Sequence, residues 1–214
     1  MENTIAEISP QNYSVSVPLK KLTYEEFLRE YAGQYAEYVD GEVIKPMSVT
    51  RSHDDITRFL HALLRFFVEA KNLGKIHGEP YQMKMVFGEK IKGREPDVFF
   101  VKTENLDRMG EKFCDGAADL VIEVISPESV TRDTVDKFEE YEAAGVKEYW
   151  IIDYRLRTAN FYGYDENGKY KLLHLSADGI FESRVIEGLW IKTDWLWQEE
   201  LPNLMDVLKD WELI

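Results

Sequence analysis

Two apolar segments that each carry a single acid constrain this chain more than any other feature. The first runs from Asp97 to Val101 after a proline, and the second runs from Leu120 to Ile125 with Glu123 in its middle. Short apolar runs bounded by turn residues are typical of buried β-strands. A carboxylate in such a strand is costly unless it is paired, protonated or bound to a cation. Two of them on neighbouring strands therefore indicate a divalent-metal site, and oxygen ligands favour Mg²⁺ or Mn²⁺ over zinc.

Composition sets the class of protein. With 214 residues, 44% of them hydrophobic, the chain can bury a full core as one domain. Its single cysteine, Cys114, excludes an internal disulfide and is typical of a reducing cytoplasm. No signal peptide or membrane-spanning run is recognisable. We therefore expect a cytoplasmic protein without a membrane partner, with residues 1–17 as a flexible leader and residues 18–214 as a single domain.

The net charge of −14 bears on the choice of partner. Nucleic-acid-binding proteins usually present a basic surface, so this charge argues against a nucleic-acid partner. A local basic patch or bound metal ions can offset it. The charge thus lowers the expectation of nucleic-acid binding without excluding it.

Hydrophobic periodicity and turn residues predict the order of the elements. An exposed, charged loop is expected over residues 102–116. The predicted elements are a helix over 23–31 with a capping box at Thr23, a hairpin over 37–44, a helix over 52–71, strands over 82–87, 97–101 and 120–125, a helix over 131–144 with Val135, Phe138 and Tyr141 facing inward, a strand over 148–153, a hairpin over 158–175, and a C-terminal part with a further strand or two and a helix from about Asn203. This order predicts an α/β fold in which helices cover a mixed central sheet, with an N-terminal helix and hairpin and a C-terminal β extension.

Strand alternation predicts the geometry of the metal site. Glu123 and Ile125 should face one side of the sheet, with the backbone carbonyl of Val124 beside them. With Asp97, two carboxylates and one carbonyl leave positions on the metal for water and a substrate phosphate, as metal-assisted hydrolysis requires. Lys137, on the following helix, is the best candidate for a cation that helps to activate water or stabilises developing charge.

Four segments in a fixed order carry a resemblance to a known family. They are 38–42 (Tyr-Val-Asp-Gly-Glu), 95–98 (Glu-Pro-Asp-Val), 119–129 (Asp-Leu-Val-Ile-Glu-Val-Ile-Ser-Pro-Glu-Ser) and 145–153 (Gly-Val-Lys-Glu-Tyr-Trp-Ile-Ile-Asp). In them the chain resembles the PD-(D/E)XK nuclease superfamily, and more specifically the Uma-two family of restriction-endonuclease-like proteins, from about Leu22 to about Trp190. The resemblance implies a restriction-endonuclease-like αβββαβ core and Mg²⁺-dependent hydrolysis of nucleic acid, with DNA as the expected substrate and a homodimer as a plausible assembly.

The same resemblance implies roles for particular residues. By position, Asp97 and Glu123 match the metal-binding acids of the superfamily. The superfamily lysine, two residues after the second acid, is replaced here by Ile125. In the Uma-two family this lysine lies on the following helix, which implies Lys137. The superfamily also has an acid on an early helix. Glu37, before the Asp-Gly turn, matches a glutamate of the family and is the choice for this acid.

Each of these residues also has a purely structural interpretation. Asp97 could cap its strand, and Glu123 could form a buried ion pair with Arg132 or Lys137. Lys137 could instead be an ordinary solvated helix lysine. His53 is more typical of a helix start or a core histidine than of a metal ligand.

Two larger groups of residues are equally ambiguous. A basic cluster near the Asp97 strand could follow a phosphate backbone or could be a solvated hairpin. Its members are Lys84, Lys90, Lys92 and Arg94. Four C-terminal tryptophans are more typical of a core or a dimer surface than of a base-stacking platform. They are Trp190, Trp195, Trp197 and Trp211.

Three functions therefore follow from the sequence. The leading hypothesis is a Mg²⁺-dependent endonuclease with Asp97, Glu123, Lys137 and Glu37 in its site. A non-catalytic interaction or scaffold protein that retains the nuclease fold is the alternative that the acidic composition favours. A metal-dependent hydrolase of small phosphoesters would also suit the negative charge, and it would show a closed pocket.

Overall fold

The computed structural model describes residues 21–45 and 48–214. Residues 1–17, expected to form a leader, lie outside the described residues, and the single domain over 18–214 stays a prediction. The elements are α1 (Tyr24–Tyr31), β1 (Glu37–Val39), β2 (Glu42–Ile44), α2 (Arg51–Lys71), β3 (Gly74–His77), β4 (Gln82–Phe87), β5 (Lys90–Arg94), β6 (Val98–Lys102), a 3₁₀ helix (Thr103–Arg108), β7 (Phe113–Asp115), β8 (Leu120–Val124), a π-helical segment (Arg132–Asp136), α3 (Lys137–Ala144), β9 (Glu148–Asp153), β10 (Thr158–Tyr164), β11 (Tyr170–Leu173), β12 (Ile180–Glu182), β13 (Trp190–Lys192), a second 3₁₀ helix (Thr193–Trp197) and α4 (Leu204–Asp210). The predicted α/β class is confirmed.

The central sheet contains six strands in the order β11-β10-β9-β8-β6-β3. It is mixed, as predicted, because β8 and β9 run parallel while the other neighbouring pairs run antiparallel. In the β6–β8 pair, Val98 lies opposite Ile122. Continuing this antiparallel register by one residue brings Asp97 opposite Glu123. The two acids thus lie on neighbouring strands, as the sequence predicted.

Alternate residues of β8 enter two different cores. Ile122 and Val124 belong to the cluster that contains the buried face of α2, whereas Val121 and Ile125 belong to the cluster that contains Tyr141 of α3. The predicted alternation is therefore confirmed. Glu123 lies on the α3 side of the sheet.

A second sheet of five strands has the order β2-β1-β5-β4-β7. The αβββαβ pattern groups the strand over 82–87 with the strands of Asp97 and Glu123. That strand, β4, lies in the second sheet. In the central sheet, β3 lies at the edge and pairs with β6. The prediction of an exposed loop over 102–116 is wrong in part. That segment contains a 3₁₀ helix and β7, in which Cys114 is buried. A three-residue strand is too short for its alternation to be read from sequence.

The predicted helix over 131–144 begins with the π-helical segment. Val135 was predicted to face inward, and this is wrong, because its side chain is 47% exposed. A π turn closes its hydrogen bond between residues i and i+5 and so holds more residues than an α turn. Residues before α3 are therefore rotated relative to the α-helical pattern, and Asp133 and Lys137 are buried instead.

The two ends of the described chain agree with the sequence predictions. Thr23 and Glu26 form the predicted capping box, in which each side chain accepts a hydrogen bond from the other residue's backbone N–H. In the C-terminal part, β12 pairs with β13, and Asn203 caps α4. The ring of Trp211 packs 4.9 Å from that of Phe67 on α2, which places this tryptophan in the core. Among the described residues, no helix is long and apolar enough to cross a membrane.

Candidate active site

All five residues that the sequence assigned to the site line one cavity of about 340 Å³, where β8 ends. They are Glu37, Asp97, Glu123, Val124 and Lys137. Seven carboxylates but only three lysine or arginine side chains line this cavity. It is therefore a strongly acidic space. The remaining residues of its lining are Ile44, Lys45, Val49, His53, Glu79, Glu95, Ser126, Glu128, Ser129, Arg132 and Asp133.

Glu123 is held by two donors from α3. Its Oε1 accepts hydrogen bonds from Lys137 Nζ at 2.9 Å and from the hydroxyl of Tyr141 at 2.7 Å. Burial raises the pKa of Glu123, and the nearby acids add to this effect, so the ammonium of Lys137 only partly compensates. The salt bridge to Lys137, which by itself would lower the pKa of this carboxyl group, is thus outweighed by burial and then by the charges of Asp133 and Asp97.

Asp97 uses one of its two oxygens to join strand β8 and helix α2. Its Oδ2 accepts the backbone N–H of Val124 at 2.6 Å and lies 3.3 Å from Nε2 of His53. Burial lowers the pKa of His53, but the hydrogen bond and charge of Asp97 outweigh burial and raise it. Asp97 therefore has the strand-capping role that its structural interpretation proposed, and it also faces the cavity.

Lys137 is a buried cation shared by three carboxylates. Its Nζ lies 2.9 Å from Glu123, 3.3 Å from Glu37 and 3.5 Å from Asp133. Burial by itself would lower the pKa of this ammonium, but the charges of the three carboxylates outweigh burial and raise it. Lys137 is thus not a solvated helix lysine, and it stays charged at neutral pH.

Glu37 lies between two cations. Its Oε2 accepts a hydrogen bond from Arg94 Nη1 at 2.8 Å, and its Oε1 faces Lys137. Burial favours the protonated carboxyl, but the charges of Lys137 and Arg94 outweigh burial and lower the pKa of Glu37 to about 2. Glu37 is therefore not a solvated residue of the hairpin, although Glu42 across the turn is exposed.

The basic cluster does not form a free phosphate-binding surface. Lys84 lies 3.5 Å from Asp115, and Lys92 lies 2.8 Å from Glu140. Arg94 is buried and donates to both Glu140 and Glu37. Local acids thus neutralise three of the four members, and the cluster lies on the β4–β5 hairpin.

Sequence reasoning missed several residues that line the cavity. Glu79 is half-buried and Glu95 is buried. Burial together with neighbouring acids raises the pKa of Glu79 to about 7 and the pKa of Glu95 to about 8. His53 was interpreted as a helix-start or core histidine in preference to a metal ligand, and Arg132 only as an ion-pair partner of Glu123. Glu95 belongs to the segment 95–98 that carries the family resemblance. Nothing in the local pattern around the other three residues separates them from solvated or core positions, because each reaches the cavity from a different element.

A divalent cation of the magnesium type fits the donor set. Over residues 21–45 and 48–214, no group of three or more His, Cys, Asp or Glu side chains is placed to hold a metal by itself. Magnesium does not need such a group, because it is usually bound through one or two carboxylates and completes its shell with water and substrate phosphate. The described hydrogen bonds use only one oxygen each of Asp97 and Glu123, so Oδ1 and Oε2 are the atoms that a cation could take.

Comparisons with known proteins agree with this architecture. Residues 23–194 match the model of the Uma2 family, described as "Putative restriction endonuclease". A solved structure of a "putative nuclease belonging to DUF820" from Anabaena variabilis ATCC 29413 is similar to the chain, with a TM-score of 0.64 and 18% identity over 82% of this chain and 97% of that one. At this identity the likeness shows the fold alone. No curated protein matches the chain.

Proposed function

Since the chain belongs to the Uma2 family, we propose that it is a Mg²⁺-dependent endonuclease, with Mn²⁺ as an alternative ion, that hydrolyses phosphodiester bonds of DNA. One observation carries this proposal. Asp97, the residue directly before β6, lies opposite Glu123 of β8 when the β6–β8 register is continued by one residue. Both acids line an acidic cavity, and each has an oxygen that the described hydrogen bonds do not use. Both acids would bind the cation together with the carbonyl of Val124.

The bound ion would supply Lewis-acid polarisation of the phosphate and activation of water. Lys137 acts as a fixed positive charge beside the reacting phosphate, since its raised pKa keeps it protonated and so unsuited to accept a proton. Glu37 is a positioning residue. Its Oε1 lies 3.3 Å from Lys137 Nζ, and its Oε2 is bound by Arg94 at 2.8 Å.

The acidic charge supports a second candidate, a non-catalytic interaction protein with this fold. The net charge is −14, and local acids neutralise three of the four residues of the basic cluster near the site. A nuclease would then need the metal ion itself to attract the substrate. A homodimer would bring two active sites to the two strands of a duplex, so we expect a homodimer if duplex DNA is the substrate.

Cleavage assays separate these candidates. Purified protein should convert supercoiled, linear, branched or single-stranded DNA to shorter or relaxed products in Mg²⁺ or Mn²⁺ but not in a chelator. The Asp97→Ala variant should be inactive, and Asp107→Ala, which removes an exposed aspartate outside the cavity, should match the wild type. Absence of cleavage of every substrate by the wild type would favour the interaction protein.

Lys137 provides a separate test of the proposed charge role. Lys137→Met keeps most of the side-chain length and removes the charge. We expect it to lower the cleavage rate at least about a hundredfold, the effect of one positioned charge on a transition state. Its Kd for Mn²⁺ should not rise, because Lys137 is not a ligand. An unchanged rate would remove Lys137 from the mechanism.

A further inference from the structure

Arg132 carries a buried hydrogen-bond donor that has no acceptor. Its Nε is buried and makes no hydrogen bond, and Oδ1 of Asp133 lies 3.6 Å away, beyond hydrogen-bonding distance. The side chain lines the cavity and is 30% exposed. Buried N–H groups in folded proteins are almost always paired. Asp133 Oδ1 is likewise without a hydrogen bond, so the ion pair between these two residues leaves the Nε–H available to an acceptor on a ligand.

The other buried cations in or near the cavity already have carboxylate partners. Lys137 is shared by three carboxylates, and Arg94 donates three hydrogen bonds to Glu140 and Glu37. Lys45 also lines the cavity but is an exposed residue. Among the described residues, Arg132 is therefore the cation that combines a position in the cavity wall with an unused buried donor.

The π-helical segment explains how Arg132 reaches this position. The backbone N–H of Lys137 donates to the carbonyl of Arg132, a bond between residues i and i+5. Because this bond closes one wide turn, Arg132 and Lys137 lie on nearly the same side of the segment. Single π turns within α-helices occur frequently at functional sites, where they direct a side chain that an α-helix would turn away.

We propose that Arg132 binds a phosphate oxygen of the nucleic-acid backbone in this cavity, an inference that rests on the proposed nuclease function. The planar guanidinium presents its N–H groups in a fork that matches two phosphate oxygens. In a cavity lined by seven carboxylates, a phosphodiester needs such a contact in addition to the cation held by Asp97 and Glu123. Arg132 thus determines substrate affinity and does not bind metal.

Oligonucleotide binding at several salt concentrations tests this role. We expect an Asp97→Asn variant to bind an oligonucleotide without cutting it. In this background, adding Arg132→Met should raise the Kd for a mixed-sequence oligonucleotide about tenfold or more. The slope of log Kd against log salt concentration should fall by about 0.7 for a single strand and about 0.9 for a duplex, the change for one lost phosphate contact. Arg132→Lys should give an intermediate Kd, because it keeps the charge and loses the fork.

A matched control and two further measurements separate the possible failures. Arg65→Met removes an exposed arginine on α2 that pairs with Glu69, and it should leave Kd and slope unchanged. The Kd for Mn²⁺ and the melting temperature should be the same for wild type and Arg132→Met. If Arg132→Met behaves like Arg65→Met, or if the Asp97→Asn protein binds no oligonucleotide, the inference is overturned. If binding depends on Arg132 but the wild type cuts no substrate, only the nuclease proposal fails.

Discussion

Glu123 and Glu148 are buried carboxylates on neighbouring parallel strands, β8 and β9, and yet their surroundings differ. Both oxygens of Glu148 are satisfied by neutral donors. Oε1 accepts from Trp150 Nε1 at 2.7 Å and from Ser183 Oγ at 2.9 Å, and Oε2 accepts the backbone N–H of Arg184 at 2.7 Å. The hydrogen bonds of Glu123 use only Oε1, and its side chain faces the acidic cavity.

The comparison teaches that burial alone does not identify a functional acid. Burial raises the pKa of both groups. The two residues differ in their hydrogen-bond partners. Both carboxylate oxygens of Glu148 accept hydrogen bonds, and the residue joins two segments of the fold. Glu123 keeps one oxygen that accepts no described hydrogen bond, and further acids lie beside it. A carboxylate oxygen that is available in an acidic cavity can bind a cation, whereas a carboxylate whose oxygens both accept hydrogen bonds is not available to one.

The largest expected difference concerns catalysis. Glu123→Gln should reduce metal-dependent DNA cleavage below detection, at least about a thousandfold, because it removes the charge of a proposed metal ligand. Glu148→Gln should retain the wild-type rate, since Glu148 does not line the cavity. Rates are compared at saturating Mg²⁺ on the same substrate. Equal losses in both variants would mean that the two acids act only through the fold.

Glu37 is a third buried acid, and its carboxylate is paired with the cations Arg94 and Lys137. Its pKa is lowered to about 2 from 4.5, so its ion pairs stabilise the fold above pH 4.5, and this contribution is lost as the pH falls toward 2. Glu37→Gln should lower the free energy of unfolding by about 3 kcal/mol at pH 7, and the difference should vanish near pH 2. Urea denaturation across this pH range measures it. A difference that persists at pH 2 would point to lost packing instead of lost charge.

The next largest difference between Glu123 and Glu148 should be in how much a bound metal ion stabilises the protein. At about 100 times the dissociation constant, Mg²⁺ or Mn²⁺ should raise the free energy of unfolding of the wild type by about 2.7 kcal/mol. Glu148→Gln should show the same increase, and Glu123→Gln almost none. Thermal melts with and without the ion test this. Equal shifts in all three proteins would mean that the ions bind the acidic surface in general.

The smallest expected effect is on stability without metal. In Glu148→Gln, an amide nitrogen would replace an oxygen that now accepts the N–H of Arg184, which should destabilise the protein by about 1 to 3 kcal/mol. Glu123→Gln keeps an oxygen for Lys137 and Tyr141 and removes a buried negative charge. Its stability at neutral pH should therefore hold or rise. A larger loss in Glu123→Gln than in Glu148→Gln would reverse the roles assigned to the two residues.

Local patterns were sufficient to predict much of the fold. The capping box at Thr23, the helical spacing in α2 and the alternation in β8 act through neighbours a few residues away, and such interactions are visible in a sequence. The same local information predicted that Asp97 and Glu123 would lie on neighbouring strands and that Lys137 would follow on a helix. The sequence therefore determined the α/β class and the proximity of the proposed acids.

Tertiary structure alone decided how each charge is used. The donors that satisfy Glu148 come partly from residues 183 and 184, and His53 reaches Asp97 from a helix 44 positions earlier in the chain. The π turn that rotates Val135 outward and directs Arg132 to the cavity leaves no periodic signal. Whether a buried acid is saturated with hydrogen bonds or keeps an oxygen for a cation depends on these distant partners, because electrostatic energies are set by positions in space and not by separation along the chain.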